Sequence, residues 1–297
     1  MQTYVSFDWA MKRLLRDKAN HAVLEGLVTS LLGRKYTIVR FLESEGNQES
    51  ADDKFNRVDM LAEAENGELI IVEVQNCHEL TYFHRMLYGV SKAITDYISI
   101  GSDYGQVRKV YSINIVYFEL GQGKDYVYHG KTDFRGLHDP NDLLMLTKSQ
   151  TRKFFGMQTD ADGRVAQKEA SALFPEYYVL RINDFNKVAR TPIDQWMEFL
   201  KTGSISRNAS APGLAEAREK LRFDQLTEEE QQAYRHHIDA LVYQKYVLDS
   251  SFEDGIAEGE HRKAEKMARE LLAIGLPISQ IAKISELTED EVRKLQS

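Results

Sequence analysis

The sequence predicts an α/β (α+β) fold that ends in an all-helical region, and three observations carry that prediction. Two alternating apolar runs flank a turn at Asn66 and Gly67. Apolar residues recur at helical spacing on both sides of this hairpin, and the chain from Leu214 onward is helical in pattern throughout. With 297 residues the chain is long enough for one large core and an appendage. Residues 1–201 are expected to form the first domain, 202–213 (TGSISRNASAPG) a linker, and 214–297 a helical C-terminal region.

Residues 7–32 read as helix, because Leu24, Leu27, Val28, Leu31 and Leu32 share a face and Gly33 stops it. A short strand around Ile38, Val39, Phe41 and Leu42 leads into the polar stretch EGNQESADDK, read as a loop. After the hairpin, residues 78–100 form a helix with the apolar stripe Leu80, Phe83, Leu87, Val90, Ile94 and Tyr97. Arg85, Tyr88 and Lys92 make a polar ridge on the same helix. The β-branched and aromatic run RKVYSINIVYFEL at 108–120 reads as a central strand, with further strands near Tyr126–Tyr128 and Tyr177–Ile182. A helix follows Thr191 and Pro192 through Trp196, Phe199 and Leu200. Beyond the linker come an amphipathic helix over 214–249, its continuation to about Gly275, and a helix-turn-helix-like end. There Ile281, Ile284, Leu287, Val292 and Leu295 are the expected core.

The hairpin RVDMLAEAENGELIIVEVQN, residues 57–76, admits two registers. A two-residue turn would set Glu65 against Glu68 and mix polar with apolar partners on both faces. A three-residue turn, Glu65 to Gly67 with the glycine left-handed, pairs Ala64 with Glu68 and puts Val58, Met60 and Ala62 opposite Val74, Val72 and Ile70. The second register gives a wholly apolar face and is favoured. It also sets Asp59 opposite Glu73, with side chains roughly 4.5–5.5 Å apart at Cβ, a spacing at which two carboxylates call for a cation between them.

Composition narrows the chemistry. The formal net charge of -8 gives the whole chain no general attraction to a polyanion, so a nucleic-acid role needs a local motif. The single cysteine, Cys77, excludes thiolate metal sites, so any metal is oxygen-bound. His78 and His84, at i and i+6, fall on different helical faces and do not make a zinc pair. No apolar run suits a membrane span and the N-terminus has no apolar signal core, which predicts a cytoplasmic protein with no membrane partner.

The ordered set FDWAMKRLL, the paired VD and IVEVQ strands, RMLYGVSK, a YG-containing turn and VYSINIVYF resembles the PD-(D/E)XK nuclease family transposases, also called recombination-promoting nucleases. The later YYVLRINDF strand, the DQWMEFL helix and the tail IGLPISQIAKISELTEDEV also match. The resemblance implies a restriction-endonuclease-like mixed sheet flanked by helices, and a divalent-metal-dependent DNA endonuclease linked to recombination or mobile elements. It implies Mg2+ as cofactor, with Mn2+ as a substitute. Asp59 and Glu73 would be ligands, the Val74 backbone carbonyl a third, and Gln75 would stand at the superfamily's lysine position. Glu25 is a further candidate ligand. Gln75 cannot supply positive charge, so Arg85 or Lys92 would, with Tyr88 beside them on the phosphates. DNA is the expected partner and RNA the alternative substrate, and a homodimer through the C-terminal helices would present two sites. A non-catalytic binding or regulatory protein on the same fold is the rival reading. The acids opening the last helix, Glu289 to Glu291, suit a helix N-terminus but would repel phosphate, favouring a cap or oligomerisation element over DNA contact.

Overall fold

The computed structural model describes residues 4–13, 21–42, 59–97, 103–156 and 166–295. The predicted loop after Leu42, together with Arg57 and Val58, lies outside the described residues. So does 14–20, which separates helix α1 (Phe7–Arg13) from α2 (His21–Leu32) within what the sequence suggests is one helix.

A six-stranded mixed sheet organises the first part of the chain. Its strands are β1 (Ile38–Leu42), β2 (Met60–Ala64), β3 (Leu69–Gln75), β4 (Val110–Val116), β5 (Val127–Lys131) and β6 (Glu176–Arg181), in the order β1-β2-β3-β4-β6-β5. The β3–β4 and β4–β6 pairs are parallel and the others antiparallel. Every residue of β4 is buried, as expected of a strand with parallel neighbours on both sides and elements covering both faces.

The hairpin adopts the favoured register. Met60 faces Val72 and Ala62 faces Ile70, Ala64 donates to the Glu68 carbonyl, and Gly67 turns at φ +79°. The left-handed position requires glycine, which has no Cβ to clash there.

Helix α3 (Tyr82–Asp96) joins β3 to β4 and covers one sheet face. Its buried residues are Tyr82, Met86, Val90 and Ala93, packing on Ile71, Val110, Val116 and Val179. This corrects the predicted stripe. Val90 belongs to the core, but Leu80, Phe83 and Leu87 are exposed by 88%, 53% and 58%. The helix is rotated so that Tyr82 and Met86, rather than Phe83 and Leu87, face the sheet.

The chain divides into two compact units, Met1–Tyr234 and Arg235–Ser297. In the first, α4 (Lys148–Phe155) follows β5, and α5 (Pro192–Thr202) begins with a capping box between Thr191 and Asp194 and ends at Gly203 in the left-handed conformation. The stretch 202–213, linker-like in composition, lies inside this unit. Ala211 is buried, Trp196 Nε1 donates to the Pro212 carbonyl at 3.0 Å, and Gly26 on α2 sits directly against Gly213. Helix α6 (Leu214–Lys220) is short rather than running on to Asp249. The chain leaves it at Leu221, whose carbonyl accepts from Val5, and restarts at Thr227, whose hydroxyl accepts from Glu230 N to open α7 (Glu228–Ala273).

In the second unit α7 continues to Ala273, followed by α8 (Ile278–Ser285) and α9 (Glu289–Lys294). Ala268, Ile281, Leu287 and Val292 form its core, whereas Ile284, expected there, is 51% exposed. A Thr288–Glu291 capping box opens α9, and Arg293 pairs with Glu289 and Asp290 at 2.7 Å each. No helix among the described residues is long and apolar enough to cross a membrane.

Candidate metal and catalytic site

Hairpin register and strand alternation place the site's acids. Asp59 stands just before β2, and its Oδ2 accepts from the Val74 backbone N–H at 2.8 Å. Glu73 lies on β3 among apolar neighbours, 3% exposed. Gln75 C=O accepts from Tyr117 N, which points the Gln75 backbone toward β4. Backbone groups alternate sides along a strand, so the Val74 N–H, which Asp59 holds, and the Val74 C=O both lie on the β2 side of β3. The two carboxylates and that carbonyl therefore share one end of the hairpin.

Three further side chains converge on Glu73. Tyr82 OH lies 3.4 Å from Glu73 Oε2 and 3.2 Å from Asn114 Oδ1. Arg85 Nε is 3.6 Å from Glu73 Oε2, an ion-pair distance too long for a hydrogen bond, and that buried nitrogen has no hydrogen-bond partner. Arg85 Nη1 reaches Glu79 Oε2 at 3.3 Å. Asn114, fully buried on β4 directly beside Glu73, donates to Ser112 O and Oγ and to Tyr178 O.

Electrostatics follow from this packing. Burial pushes the Glu73 carboxyl up to about 7, with the negative charges of Asp59 and Glu79 adding to it and Arg85 and the Tyr82 hydrogen bond opposing it. Burial also raises the Tyr82 phenol far above its ordinary range, with Glu73 adding to it. Arg85 is held above its usual value by Glu73 and Glu79 despite its partial burial.

These donors fit a hard divalent cation. Two carboxylates and a carbonyl are all oxygen, one carboxylate is pushed toward protonation by burial and by its acidic neighbours, and the guanidinium nearest to it is not hydrogen-bonded to it. Among the described residues no group of three or more His, Cys, Asp or Glu side chains converges as a metal site. Donors that are all oxygen, few in number, suit a hard divalent ion that completes its shell with waters.

Of the residues singled out from sequence, Asp59, Glu73, Val74, Gln75 and Arg85 come together. Gln75 shares the sheet face of Glu73 two residues on, and its Nε2 donates to the Cys77 carbonyl at 3.3 Å. Tyr88 and Lys92 follow Arg85 along α3, Lys92 pairing with Asp96 at 2.8 Å. Glu25 is elsewhere. Its Oε1 accepts from Ile38 N at 2.7 Å, and Ile38 pairs with Ala64 at the turn end of the hairpin. Five residues of extended strand, roughly 17 Å, separate that point from Asp59, and Glu25 is spent satisfying the start of β1. The His78 ring packs edge-on to Phe118.

Sequence reasoning missed Tyr82 and Asn114. The signal was present for Asn114, since a polar amide inside SINIV on a fully buried strand demands partners, and strand alternation puts it on the face of Glu73.

A comparison with family models finds one similarity. Residues 5–142 match the PD-(D/E)XK nuclease family transposases. The resemblance read from the sequence thus holds over the segment carrying the whole hairpin, α3, β4 and β5; the match stops short of β6, α5 and the C-terminal helices. The six-stranded mixed sheet with flanking helices is consistent with that PD-(D/E)XK family, and the match supports a nuclease-like function acting on nucleic acid. Comparisons with curated proteins and with solved structures return no match.

Proposed function

We propose that this protein is a divalent-metal-dependent DNA endonuclease that hydrolyses phosphodiester bonds at the Asp59–Glu73 end of the hairpin. The observation that carries the reading is the buried Glu73 carboxylate, raised to about 7 beside Asp59 in a set of purely oxygen donors. Such a pair is electrostatically incomplete, and a bound cation completes it. Asp59, Glu73 and the Val74 carbonyl hold the ion. When bound, it supplies a Lewis acid that acidifies a water and neutralises the scissile phosphate.

The protein's own side chains do the rest. Gln75 has its amide nitrogen committed to Cys77, which leaves Oε1 to accept from the attacking water and orient it. Arg85, with an uncommitted Nε, supplies the positive charge that glutamine at the superfamily's lysine position cannot. Tyr88 and Lys92 extend this ridge along the phosphates. Cutting both strands calls for two such sites, supplied by a homodimer through the C-terminal helices, and a role in recombination follows if the cuts are double-stranded.

The test is nicking and linearisation of supercoiled plasmid with magnesium, manganese or EDTA. Metal-dependent cutting by the wild type, lost in Asp59→Ala and in Glu73→Ala, is the expected result. Intact plasmid under all conditions together with a degraded RNA substrate would reassign the substrate, and both intact would leave a binding protein on a nuclease fold.

A further inference from the structure

The apolar residues of α3 that face away from the core border a groove. Phe83 and Leu87 form one wall and Tyr128, Tyr177 and Val179 the other, around a cavity of about 490 Å³, within the range of small-ligand sites. Gly130 opens its floor. A Cβ there would meet only Tyr177, at 3.7 and 3.8 Å, so the bare backbone leaves space rather than relieving a clash.

The groove is joined to the acids by sheet register. Glu73 pairs with Asn114, Asn114 with Val179, and Val179 with Tyr128. Directly paired residues share a face, so this single row runs from the carboxylate into the groove. At about 4.8 Å per strand, Val179 lies two spacings (about 10 Å) and Tyr128 three (about 14 Å) from Glu73. That span corresponds to roughly three to four nucleotides of a strand that keeps its stacked rise of 3.4 Å as far as the captured base.

The lining says what fits. Phe83, Tyr128 and Tyr177 line the groove with aromatic rings, and β5 is the last strand of the sheet among the described residues. Arg181 N donates to Tyr126 O, so the backbone groups of Tyr126, Tyr128 and Gly130 face β6. Those of His129 therefore point outward at the sheet edge, a donor and an acceptor beside the aromatic walls. An alkyl chain would have no use for them, whereas a nucleobase combines a stacking face with a hydrogen-bonding rim.

We propose that this groove is a nucleobase-binding site that captures an unstacked base of the substrate strand, three to four nucleotides from the bond held at Asp59 and Glu73. The proposal rests on the nuclease reading. Phe83, Tyr128 and Tyr177 stack the base, and the His129 backbone reads its rim. Capture there fixes the strand's position and selects substrates that are single-stranded or readily opened.

The test uses the full-length protein in EDTA, so that binding is read without cleavage, and a single-stranded oligonucleotide in which one 2-aminopurine is walked along the sequence. The expected result is a fluorescence change confined to one or two positions, with weaker binding when an abasic site stands there. Phe83→Ala should weaken binding about 5- to 150-fold, the span of 1–3 kcal/mol per stacked base. Gly130→Val, which fills the groove from a position with room for a Cβ, should do the same and abolish the fluorescence change. Unchanged affinity and fluorescence in both variants overturns the proposal, as does a wild type that binds no single strand. Plasmid cleavage separates the two readings. Metal-dependent cutting that needs Asp59, with groove variants that bind normally, keeps the nuclease and removes the base site; base capture by a protein that cuts nothing does the reverse.

Discussion

Replacing Glu73 by glutamine keeps the side chain's shape and removes its charge, and the structure fixes the size and sign of the effect. An ordinary glutamate titrates near 4.5 and Glu73 near 7. At 1.36 kcal/mol per pH unit, that gap is worth about 3 kcal/mol, a ceiling reached only if no water follows the ionised carboxylate into the sheet. Between pH 4.5 and 7 the folded chain binds the extra proton, so this group's contribution to stability falls as pH rises through that window and is constant on either side. Urea denaturation without metal, from pH 5 to pH 8, should show Glu73→Gln gaining up to about 3 kcal/mol on the wild type over that range. Taking the difference between the two proteins cancels the other titrating groups. Magnesium at pH 8 should then stabilise the wild type and leave the variant unmoved, because only the ionised pair binds it. Parallel curves for the two proteins across the whole pH range would refute the reasoning.

Three other perturbations are sized by the same structure. Arg85→Met removes the cation that holds Glu73 down, so it should cost about 1–3 kcal/mol and more at pH 8 than at pH 6 in metal-free denaturation, while slowing plasmid cleavage. Gly26→Ala drives a Cβ to 2.3 Å from the Gly213 Cα and the Pro212 carbonyl. It should destabilise by roughly 1–3 kcal/mol or more, read by urea denaturation, with tryptophan fluorescence reporting the displaced Trp196–Pro212 hydrogen bond. Ile281→Ala empties a fully buried position and should cost the C-terminal unit about 2–5 kcal/mol, seen as lost amide-exchange protection over 264–295.

The hairpin was legible because its two registers differ in every pair, and only one sets Met60 and Ala62 against Val72 and Ile70. A short apolar alternation is thus enough to place Asp59 beside Glu73. Helix α3 was less legible, since Tyr82, Phe83, Met86 and Leu87 are all apolar enough to face a core, and only the sheet decides which pair does. Tertiary contact also overrode composition at 202–213, where small residues that suggest flexibility serve close packing of Gly213 on Gly26. The capping box at Thr227 was written in the sequence as TEEE, yet nothing local announces that α6 must stop at Leu221 to reach Val5. Glu25 shows the opposite failure, an acid of the right kind whose fold position gives it a backbone N–H to satisfy instead.

The Tyr82 hydroxyl has one proton to give and stands between two oxygens, Glu73 Oε2 and Asn114 Oδ1. Asn114 cannot turn to help, because its amide nitrogen is anchored to Ser112 and Tyr178. With Glu73 ionised, both neighbours only accept and one goes unserved; with Glu73 protonated, the acid donates to Tyr82 and Tyr82 to Asn114, and all three are satisfied in a single direction. Loading or emptying the carboxylate therefore reverses the one hydrogen bond between Glu73 and Tyr82 and decides whether the hydroxyl serves β3 or β4, while the Asn114 amide goes on donating to the backbone of β6. The charge state at one end of the sheet is carried to its middle by one hydroxyl rotation, with no strand required to move.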